Sequence, residues 1–409
     1  MEHDHTLNIL MVADVSIGKV VGGAERALFE HTTRLALMGH SVHVLTRTYP
    51  WHTSHRENVD GVQEWRFDFD DRSFLQSLYS TVVKSRRLFD ALCKRVTFDI
   101  INFHQPFSAL GVISSPNSKG IKKVYTCHSL SFEEFQSRNP RPDNLFGRCL
   151  YTSNFQLRRA VEKIVLQRSD KIVVLSDFTR GKLVCHYSAP DEKIVLIPGG
   201  VDLERFKPSA NRTAIRKRLH IPARKVVLFV VRNLVSRMGL ENLLHAVSKA
   251  AKDIPNLYLV VGGRGPLKEK LVLLARELSI ENRIRFAGFI KEEELPLYYQ
   301  MADLFVLPTK ELEGFGLVTV EALASGLPVL GTPVGGTKEI LTKLDPHLLF
   351  RDVSADAMAE SILGMVSKLK EDKKRKRSLP KECRRFAETY YSWDDKIASL
   401  EKLFRTLLS

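Results

Sequence analysis

Two glutamates, Glu313 and Glu321, flank the start of a predicted helix in the segment ELEGFGLVTVEALASG. Gly314 and Gly316 precede that helix, and glycine lets the backbone approach a ligand closely. The free amides at a helix start attract anions, whereas ionised carboxylates accept hydrogen bonds from hydroxyl groups. The pattern therefore predicts a site for a molecule with both an anionic group and hydroxyls, such as a sugar nucleotide.

These residues lie in an alternation of short apolar runs and helical patterns. The run Leu304–Leu307, closed by a proline, predicts a buried strand, and residues 317–325 predict a helix that ends at Gly326. A second strand begins at residue 329, and a second helix follows Gly335. The glutamate-bearing segment then links a strand to a helix. The alternative is an ordinary α/β domain in which both glutamates only face water.

The same segment resembles the donor-binding signature of the retaining glycosyltransferases of family 4, which have the GT-B fold. That signature is E-G-F-G-L-x-x-x-E, then A-x-A-x-G-x-P-V and a later G-G; this chain has EGFGLVTVE, ALASGLPV and GG at residues 335–336. The resemblance implies that one glutamate binds hydroxyls of the transferred hexose and the other those of the ribose. The donor-binding residues that it implies here are Glu313, Gly314, Phe315, Gly316, Leu317 and Glu321.

The resemblance also implies an α/β fold of two Rossmann-like, doubly wound domains facing a cleft, with a C-terminal helix that crosses back to the N-terminal domain. A chain of 409 residues is long enough for two such domains. We expect an N-terminal acceptor-side domain over residues 1–205 and a nucleotide-sugar-binding domain over residues 206–385. The returning helix is expected within residues 386–409.

The first predicted domain opens with a strand at residues 7–12, a glycine-containing loop and a helix at residues 24–37. The loop lacks G-x-G-x-x-G, so it gives little support to dinucleotide binding. In the family, the segment that matches GGAE lies near the donor phosphates and the acceptor. The resemblance therefore assigns Gly22 and Gly23 to donor binding, and a purely structural tight turn is the alternative.

Two histidines follow predicted strands of this domain. Residues 100–103 form a strand that ends at His104, and residues 124–127 form a strand that ends at His128. Ligands of doubly wound sheets bind beyond the carboxyl ends of strands, which favours a functional role over a structural one. By the resemblance, His128 contacts the donor hexose, and His104 lies nearer the acceptor.

The expected phosphate-binding segment departs from the family pattern. The family commonly has an arginine and a lysine in G-R-L-V-x-x-K-G, where this chain has Asn233 and Met238. Arg237 is one residue before the lysine position, as in a related subgroup, and we expect it to bind the diphosphate bidentately. Arg232, one residue before Asn233, is a second candidate. The departure leaves open whether the phosphate site is weakened.

Two further segments are expected near the donor. The sequence GGRGPL at residues 262–267 matches a glycine turn of the family and includes Gly263. After the predicted strand at residues 284–287, the backbone around Ile290 matches the segment that usually contacts the nucleobase, with the Ile290 side chain below the ring.

The net charge of +15 is concentrated at residues 370–385 and in a helical pattern at residues 77–96. Basic excess fits an anionic membrane surface bearing a lipid-linked acceptor, but a solvated face explains each cluster equally well. Nucleic-acid motifs are absent, so we expect no nucleic-acid partner. Five scattered cysteines, a polar start and no long apolar run predict a cytoplasmic protein, attached to the membrane face peripherally at most.

Together these residues predict the transfer of a hexose from a nucleoside-diphosphate sugar to a hydroxyl of a glycan or lipid-linked acceptor, with retention. His128, Glu313 and Arg237 are the predicted catalytic residues, since the leaving diphosphate needs charge stabilisation. We expect no metal and no cofactor; the one D-x-D, Asp68 to Asp70, is more typical of a turn. Alternatives are a sugar-nucleotide-binding protein without transferase activity, an epimerase of the same fold, or a phosphorylase that uses pyridoxal.

Overall fold

The computed structural model describes residues 5–19 and 22–409, and it divides into two compact units. Unit 1 contains Met1–Pro198 and Asp394–Ser409, and unit 2 contains Gly199–Trp393. The first boundary between the units therefore follows residue 198, whereas the sequence suggested residue 205. The chain returns to unit 1 at residue 394, whereas the sequence suggested residue 386. The backbone amide of Val201 donates to the carbonyl of Tyr391 at 2.7 Å. This hydrogen bond joins the first residues of unit 2 to its last residues.

Unit 1 is built on one sheet. Its strands in the described residues are β1 (Asn8–Val12), β2 (Ser41–Arg47), β3 (Arg56–Val59), β4 (Val62–Phe67), β5 (Ile100–Phe103), β6 (Lys122–Cys127), β7 (Lys171–Val174) and β8 (Ile194–Leu196). Their order is β3-β4-β2-β1-β5-β6-β7-β8, and every neighbouring pair is parallel except β3–β4. The order reverses between β1 and β5, so the sheet is doubly wound with its switch point there.

The central strands of this sheet are apolar on both faces because helices cover both faces. They are α1 (Gly23–Leu37), α2 (Phe74–Cys93), α3 (Pro106–Ile113), α4 (Ser131–Arg138), α5 (Leu145–Arg168) and α6 (Asp177–Tyr187). The residues of β5, from Ile100 to Phe103, are all buried, and so are Phe89 of α2 and Tyr125 of β6. The core of unit 1 therefore lies between the sheet and its helices.

Unit 2 is built on a smaller parallel sheet. Its strands in the described residues are β9 (Val226–Val231), β10 (Leu257–Gly262), β11 (Ile284–Gly288), β12 (Leu304–Leu307) and β13 (Val329–Gly331). They lie in the order β11-β10-β9-β12-β13. The order reverses between β9 and β12, where Phe229 and Phe305 are register partners and both are fully buried. This pair of strands is the switch point of unit 2.

The helices of unit 2 alternate with its strands, as expected for parallel connections. They are α7 (Arg212–Arg218), α8 (Leu240–Ala250), α9 (Lys268–Glu277), α10 (Leu295–Met301), α11 (Leu317–Ala324), α12 (Gly335–Leu344), α13 (Ala355–Glu371) and α14 (Lys373–Tyr390). The last helix, α15 (Trp393–Leu408), lies almost entirely in unit 1. There Arg34 of α1 forms an ion pair with Asp394, and His40 Nε2 lies 3.2 Å from Glu401 Oε1. The predicted return of the C-terminal helix is confirmed.

Several element bounds differ from the predictions. The acidic pattern from Lys291 to Met301 predicts a helix, but its first residues form turns and α10 begins only at Leu295, because Pro296 is favoured in the first helical turn. The polar segment at residues 131–155, with its two prolines, predicts a loop and a helix, and the structure has α4 and the start of α5 there. The β3–β4 hairpin was not predicted at all, although Asp60-Gly61, both with positive φ, is a typical two-residue hairpin turn.

None of the helices in the described residues is both long enough and apolar enough to span a bilayer.

Candidate functional site

The switch point of unit 2 places two loops side by side. Arg232 directly follows β9, and the loop at residues 308–316 directly follows β12, the neighbouring strand. Parallel strands end at the same edge of a sheet, so side chains from these two loops can meet there. The structure brings together at this edge Arg232, Arg237 and Glu313, which the sequence singled out.

Glu313 is held by Arg232 and Thr309. The guanidinium of Arg232 forms an ion pair with the carboxylate, and the side chains of both residues are only 10% exposed. Thr309 Oγ1 accepts from Arg232 Nη2 at 2.8 Å and donates to Glu313 Oε2 at 3.2 Å. Burial, and secondarily the charge of Arg237, lowers the pKa of Arg232 to about 9, which still leaves it protonated at neutral pH. The carboxylate of Glu313 therefore has a fixed, charged partner.

Arg237 is tied to the same loop. Its Nη1 donates to the carbonyl of Leu312 at 2.9 Å, and its own carbonyl accepts from the amide of Lys310 at 2.8 Å. Leu312 has φ of 58°, a left-handed conformation that a leucine rarely adopts. The Arg237 guanidinium therefore donates to the carbonyl of Leu312, the strained residue next to Glu313. This contact places a second positive charge at the loop.

The two departures from the family pattern have different surroundings. Met238 is only 5% exposed, so its position faces the interior of unit 2. Asn233 is exposed. A lysine at position 238 would need a different local packing to reach a ligand, which leaves Arg237 as the cation of this segment.

Glu321 has a neutral partner. It lies on α11 and is 5% exposed, and its Oε2 accepts from the hydroxyl of Tyr299 at 2.8 Å. Tyr299 lies on α10 and is fully buried among the rings of Phe229 and Phe305, at centroid distances of 5.4 Å. The tyrosine therefore fixes one oxygen of the second carboxylate from inside the core.

Three glycines allow the loop to lie against α12. Gly316 has φ of 97° and directly precedes α11, and a Cβ there would lie 2.5 Å from Thr337 Oγ1. A Cβ on Gly335 would meet the carbonyl oxygen of Glu313 at 1.9 Å, and one on Gly336 would meet Phe315 Cα at 2.5 Å. The amide of Gly336 donates to the carbonyl of Glu313 at 3.0 Å. The G-G of the signature thus sets the loop position by close backbone contact.

The side chain of Phe315 points into unit 2. It is 5% exposed, and a Cβ on Gly199 would lie 2.7 Å from its ring. Gly199 therefore makes room for this ring. Only the backbone of Phe315, with that of Gly314 and Leu317, is left for the predicted donor contacts.

The glycine turn after β10 lies against the backbone of Arg232. Gly263 has φ of 121°, and a Cβ on it would lie 1.8 Å from the Arg232 carbonyl oxygen. Ile290 is 7% exposed and packs against Gly262, so little of its side chain is open to a base. The neighbouring Phe289 is 40% exposed, and Arg264 lies over its ring at 5.2 Å.

In unit 1, the two predicted histidines form a pair at the ends of neighbouring strands. His104 follows β5 and His128 follows β6, and His104 Nδ1 lies 3.0 Å from His128 Nε2. Burial lowers the pKa of His128 to about 4 and that of His104 well below 6.5. Both imidazoles are therefore neutral at pH 7, and they can offer a ligand hydrogen bonds without a charge.

Helix α1 lies beside this pair. The ring of His31 contacts that of His104 edge to face at 5.5 Å, and burial lowers its pKa to about 3. Gly22 precedes α1 and Gly23 is its first residue; the amide of Arg26 donates to the Gly22 carbonyl at 3.0 Å. The carboxylate of Glu134 acts on the pKa of both Glu25 and His128. The start of α1 and the histidine pair therefore lie near each other in unit 1.

Sequence reasoning missed Thr309, Tyr299 and His31. Thr309 follows Leu307-Pro308 at a strand end, and this position was a usable signal. Tyr299 and His31 lie in apolar or mixed helical stretches, where only tertiary packing shows which polar tip meets a partner.

The D-x-D segment lies between β4 and α2. Asp70 accepts from Arg72, which lowers the pKa of the Asp70 carboxyl to about 2. The expected turn is therefore closed by an arginine within the same segment.

Comparison with protein families gives two matches that leave little of the chain uncovered. The family described as Glycosyltransferase Family 4 matches residues 21–205, and the family described as Glycosyl transferases group 1 matches residues 211–384. The match over residues 211–384 contains Arg232, Arg237, Glu313 and Glu321.

Relatives of this chain include several lipid glycosyltransferases. It is 28% identical over 260 residues to a GDP-mannose-dependent alpha-(1-6)-phosphatidylinositol monomannoside mannosyltransferase of Mycobacterium tuberculosis, over 62% of this chain and 66% of the relative. It is 24% identical to the phosphatidylinositol N-acetylglucosaminyltransferase subunit of Arabidopsis thaliana, over 95% of this chain and 79% of the relative. The match thus spans just under two thirds of the mycobacterial relative.

Solved structures with the same fold include a sucrose-phosphate synthase from Thermosynechococcus elongatus, with a TM-score of 0.79, 22% identity and coverage of 98% and 99% of the two chains. WaaG, a glycosyltransferase involved in lipopolysaccharide biosynthesis, has a TM-score of 0.74 at 18% identity and covers 96% of this chain and 99% of its own. These likenesses show the fold.

Proposed function

Because the chain belongs to the group 1 glycosyltransferases with the GT-B fold, we propose that it transfers a hexose from a nucleoside-diphosphate sugar to a hydroxyl of a glycan or lipid-linked acceptor, with retention. The observation that carries this proposal is the edge of the unit 2 sheet where Arg232, Arg237 and Glu313 meet. It combines two cations, a helix start and a fixed carboxylate.

The cations and the helix start serve the leaving diphosphate. In the proposed reaction the sugar becomes oxocarbenium-like while negative charge grows on the diphosphate. Arg237 and the first amides of α11, which follows Gly316, would stabilise that charge. Because a guanidinium and a helix start can supply this stabilisation, the proposed reaction uses no metal ion. Activity that is unchanged by a chelator is the expected result.

The two carboxylates serve the hydroxyls of the donor. An ionised carboxylate has about four lone-pair sites, so Glu313 can accept from a hexose hydroxyl while it remains paired with Arg232. Glu321, with one oxygen held by Tyr299, would accept from the ribose. Fixed partners hold both acceptors in place before the donor arrives, which reduces reorganisation during transfer.

The neutral imidazole of His128 would bind the hexose. Its support is the resemblance together with its surroundings in unit 1, where burial lowers its pKa and keeps it uncharged, and where His104 Nδ1 lies 3.0 Å from its Nε2. A neutral group can contact the sugar without opposing the positive charge that develops there.

A glycolipid is the favoured acceptor class. The names of two relatives describe transfer to phosphatidylinositol species, and the basic excess of this chain fits an anionic membrane surface. We expect the protein to act at the cytoplasmic face of such a membrane.

The test is release of nucleoside diphosphate from a panel of sugar nucleotides, with the anomeric configuration of the product read by NMR. Glu313→Ala and Glu321→Ala should each lower transfer by about 10²-fold or more, measured at a temperature at which circular dichroism shows both variants to be folded. Glu277→Ala, on the exposed surface of α9, is the matched control. Near-wild-type rates in both site variants would contradict the assignment.

A second candidate is a sugar-nucleotide-binding protein without transfer. It is favoured by the buried Met238 and the exposed Asn233 at the two family cation positions. Binding of a donor without release of diphosphate, across donors and acceptors, would support this candidate instead.

A further inference from the structure

Two exposed basic surfaces differ in what accompanies the charge. On α14, Lys373, Lys374, Arg377 and Lys381 line a surface groove of about 400 Å³. The apolar residues of that helix, such as Leu379 and Cys383, are fully buried. This surface can attract anions but has little to insert into a lipid layer.

The start of α5 in unit 1 is different because it exposes large apolar side chains. Leu145 is 80% exposed, Phe146 is 75% exposed and Leu150 is 56% exposed. Cys149, between them, is also exposed. Single exposed apolar residues are ordinary, but a group of three on two turns of one helix is a feature of interaction surfaces.

These side chains stand on a formed helix. The Asn144 side chain caps α5 and accepts from the amide of Gly147 at 2.6 Å. Burial in α5 begins only at Val161, and most residues from 145 to 153 are exposed. The first turns of α5 therefore extend beyond the packed part of unit 1.

A second exposed apolar pair stands apart, at the start of α2 and beside the middle of α5. Leu75 and Tyr79, four residues apart on one helix face, are 65% and 71% exposed. The guanidinium of Arg158, on α5, lies 4.7 Å from the ring centroid of the adjacent Phe74. Leu150 is eight residues before Arg158, or about 12 Å along the helix. We call Leu145, Phe146 and Leu150 together the apolar end of unit 1.

The charge around the apolar end is strongly positive. Residues 138–159 contain five arginines and one acidic residue, Asp143. Arg141 and Arg148 are exposed close in sequence to the apolar side chains, and Arg138 is also exposed but forms an ion pair with Glu134. Apolar side chains flanked by arginines fit the interface of an anionic bilayer. A second copy of the chain, docked symmetrically, would instead bring arginines of the two copies together.

We propose that the apolar end inserts into the headgroup region of an anionic bilayer and that its arginines bind the lipid phosphates. This deepens the proposed function, because it names the element of unit 1 that attaches the protein to the surface where a lipid-linked acceptor lies. The helical pattern at residues 77–96 contributes mainly charge, since Leu92 is buried and Leu78, Val82 and Leu88 are half-buried.

The first test is sedimentation of the full chain with vesicles of phosphatidylglycerol and phosphatidylcholine, or of phosphatidylcholine alone. Wild type should bind the anionic vesicles, and Leu145→Ser/Phe146→Ser/Leu150→Ser should bind them at least about tenfold more weakly. Leu37→Ser, which removes an 84% exposed leucine at the end of α1, and Leu273→Ser in unit 2 are matched controls that should bind like wild type. Equal binding by the triple variant and the controls would overturn the proposal.

The second test uses the exposed cysteines as probe sites. Cys149 lies within the apolar end and Cys185 lies on α6. An environment-sensitive fluorophore on Cys149, in a Cys185→Ser background, should shift to shorter wavelength with anionic vesicles. The same fluorophore on Cys185, in a Cys149→Ser background, should shift far less. Shifts of equal size, or none on Cys149, would contradict insertion.

The two proposals fail separately. Vesicle binding requires no turnover, and transfer to a short, lipid-free acceptor requires no vesicle. Loss of binding in the triple variant, with no sugar nucleotide turned over by any form, would support the docking surface and refute the transferase. Unchanged vesicle binding by the triple variant, together with turnover of a sugar nucleotide, would refute the docking surface and support the transferase. Lipid-free protein that self-associates through these three residues would identify a second copy as the occupant and overturn the lipid proposal.

Discussion

Both units place their candidate residues at the carboxyl ends of parallel strands, but those of unit 2 are charged and those of unit 1 are neutral. In unit 2, Glu313 and Arg232 bury opposite charges beside each other. In unit 1, His104 and His128 bury two groups that give up their charge. The contrast suits a donor with an anionic end and an uncharged hexose, and it means that the two sites should respond to different perturbations.

The largest expected effect comes from separating the charged pair. Arg232→Met leaves Glu313 nearly buried and without its cation, which should cost about 3–5 kcal/mol in the free energy of unfolding. The double variant Arg232→Met/Glu313→Gln removes both charges and should recover most of that loss. Urea denaturation measures both. A double variant no more stable than the single one would show that the pair is not what stabilises this edge.

Next in size is the effect of crowding the loop in unit 2. Gly336→Ala places a Cβ against the backbone of Phe315, so we expect a loss of about 1–3 kcal/mol in unfolding free energy and weaker donor binding. Gly364→Ala, on α13 with open space around it, is the matched control and should be neutral or slightly stabilising. Equal behaviour of the two alanine variants would rule out the close contact.

The neutral histidines should appear as a pH dependence of stability. Their folded pKa values lie below the ordinary 6.5, at about 4 for His128 and about 3 for His31, so each takes up a proton on unfolding. Stability should be complete above pH 6.5 and fall as the pH drops toward the folded values, by up to about 1.4 kcal/mol per pH unit for each histidine. His128→Gln should reduce this slope between about pH 6 and about pH 5, because this range lies between the folded pKa of His128, about 4, and its unfolded pKa of about 6.5. An unchanged slope would show that His128 is not buried in its neutral form.

The smallest effect is expected where the family pattern is already lost. Asn233 is exposed, so Asn233→Arg should change donor affinity by no more than about threefold, as for other exposed charges. A titration of nucleoside diphosphate measures it. A gain of an order of magnitude or more would mean that the family arginine position still faces the phosphate.

The strand ends made much of this arrangement predictable. His104 and His128 were identified because each follows an apolar run, and parallel strands bring such residues to one edge. Their roles toward a ligand stay predictions. The Arg232–Glu313 ion pair and the Tyr299–Glu321 hydrogen bond could not be read from sequence, because each depends on the packing of segments tens of residues apart. Periodicity in α2 likewise could not show that Leu75 and Tyr79 would remain exposed while Leu92 is buried.

The most direct measurement of the central claim is calorimetric titration of nucleoside diphosphates into wild type, Arg237→Gln and the control Arg276→Gln, which removes an exposed arginine of α9. The loop after β12 should bind the diphosphate through Arg237, so the Kd should rise at least about tenfold in Arg237→Gln and stay unchanged in Arg276→Gln. The same Kd in all three proteins would contradict the placement of the anionic end of the donor at this loop.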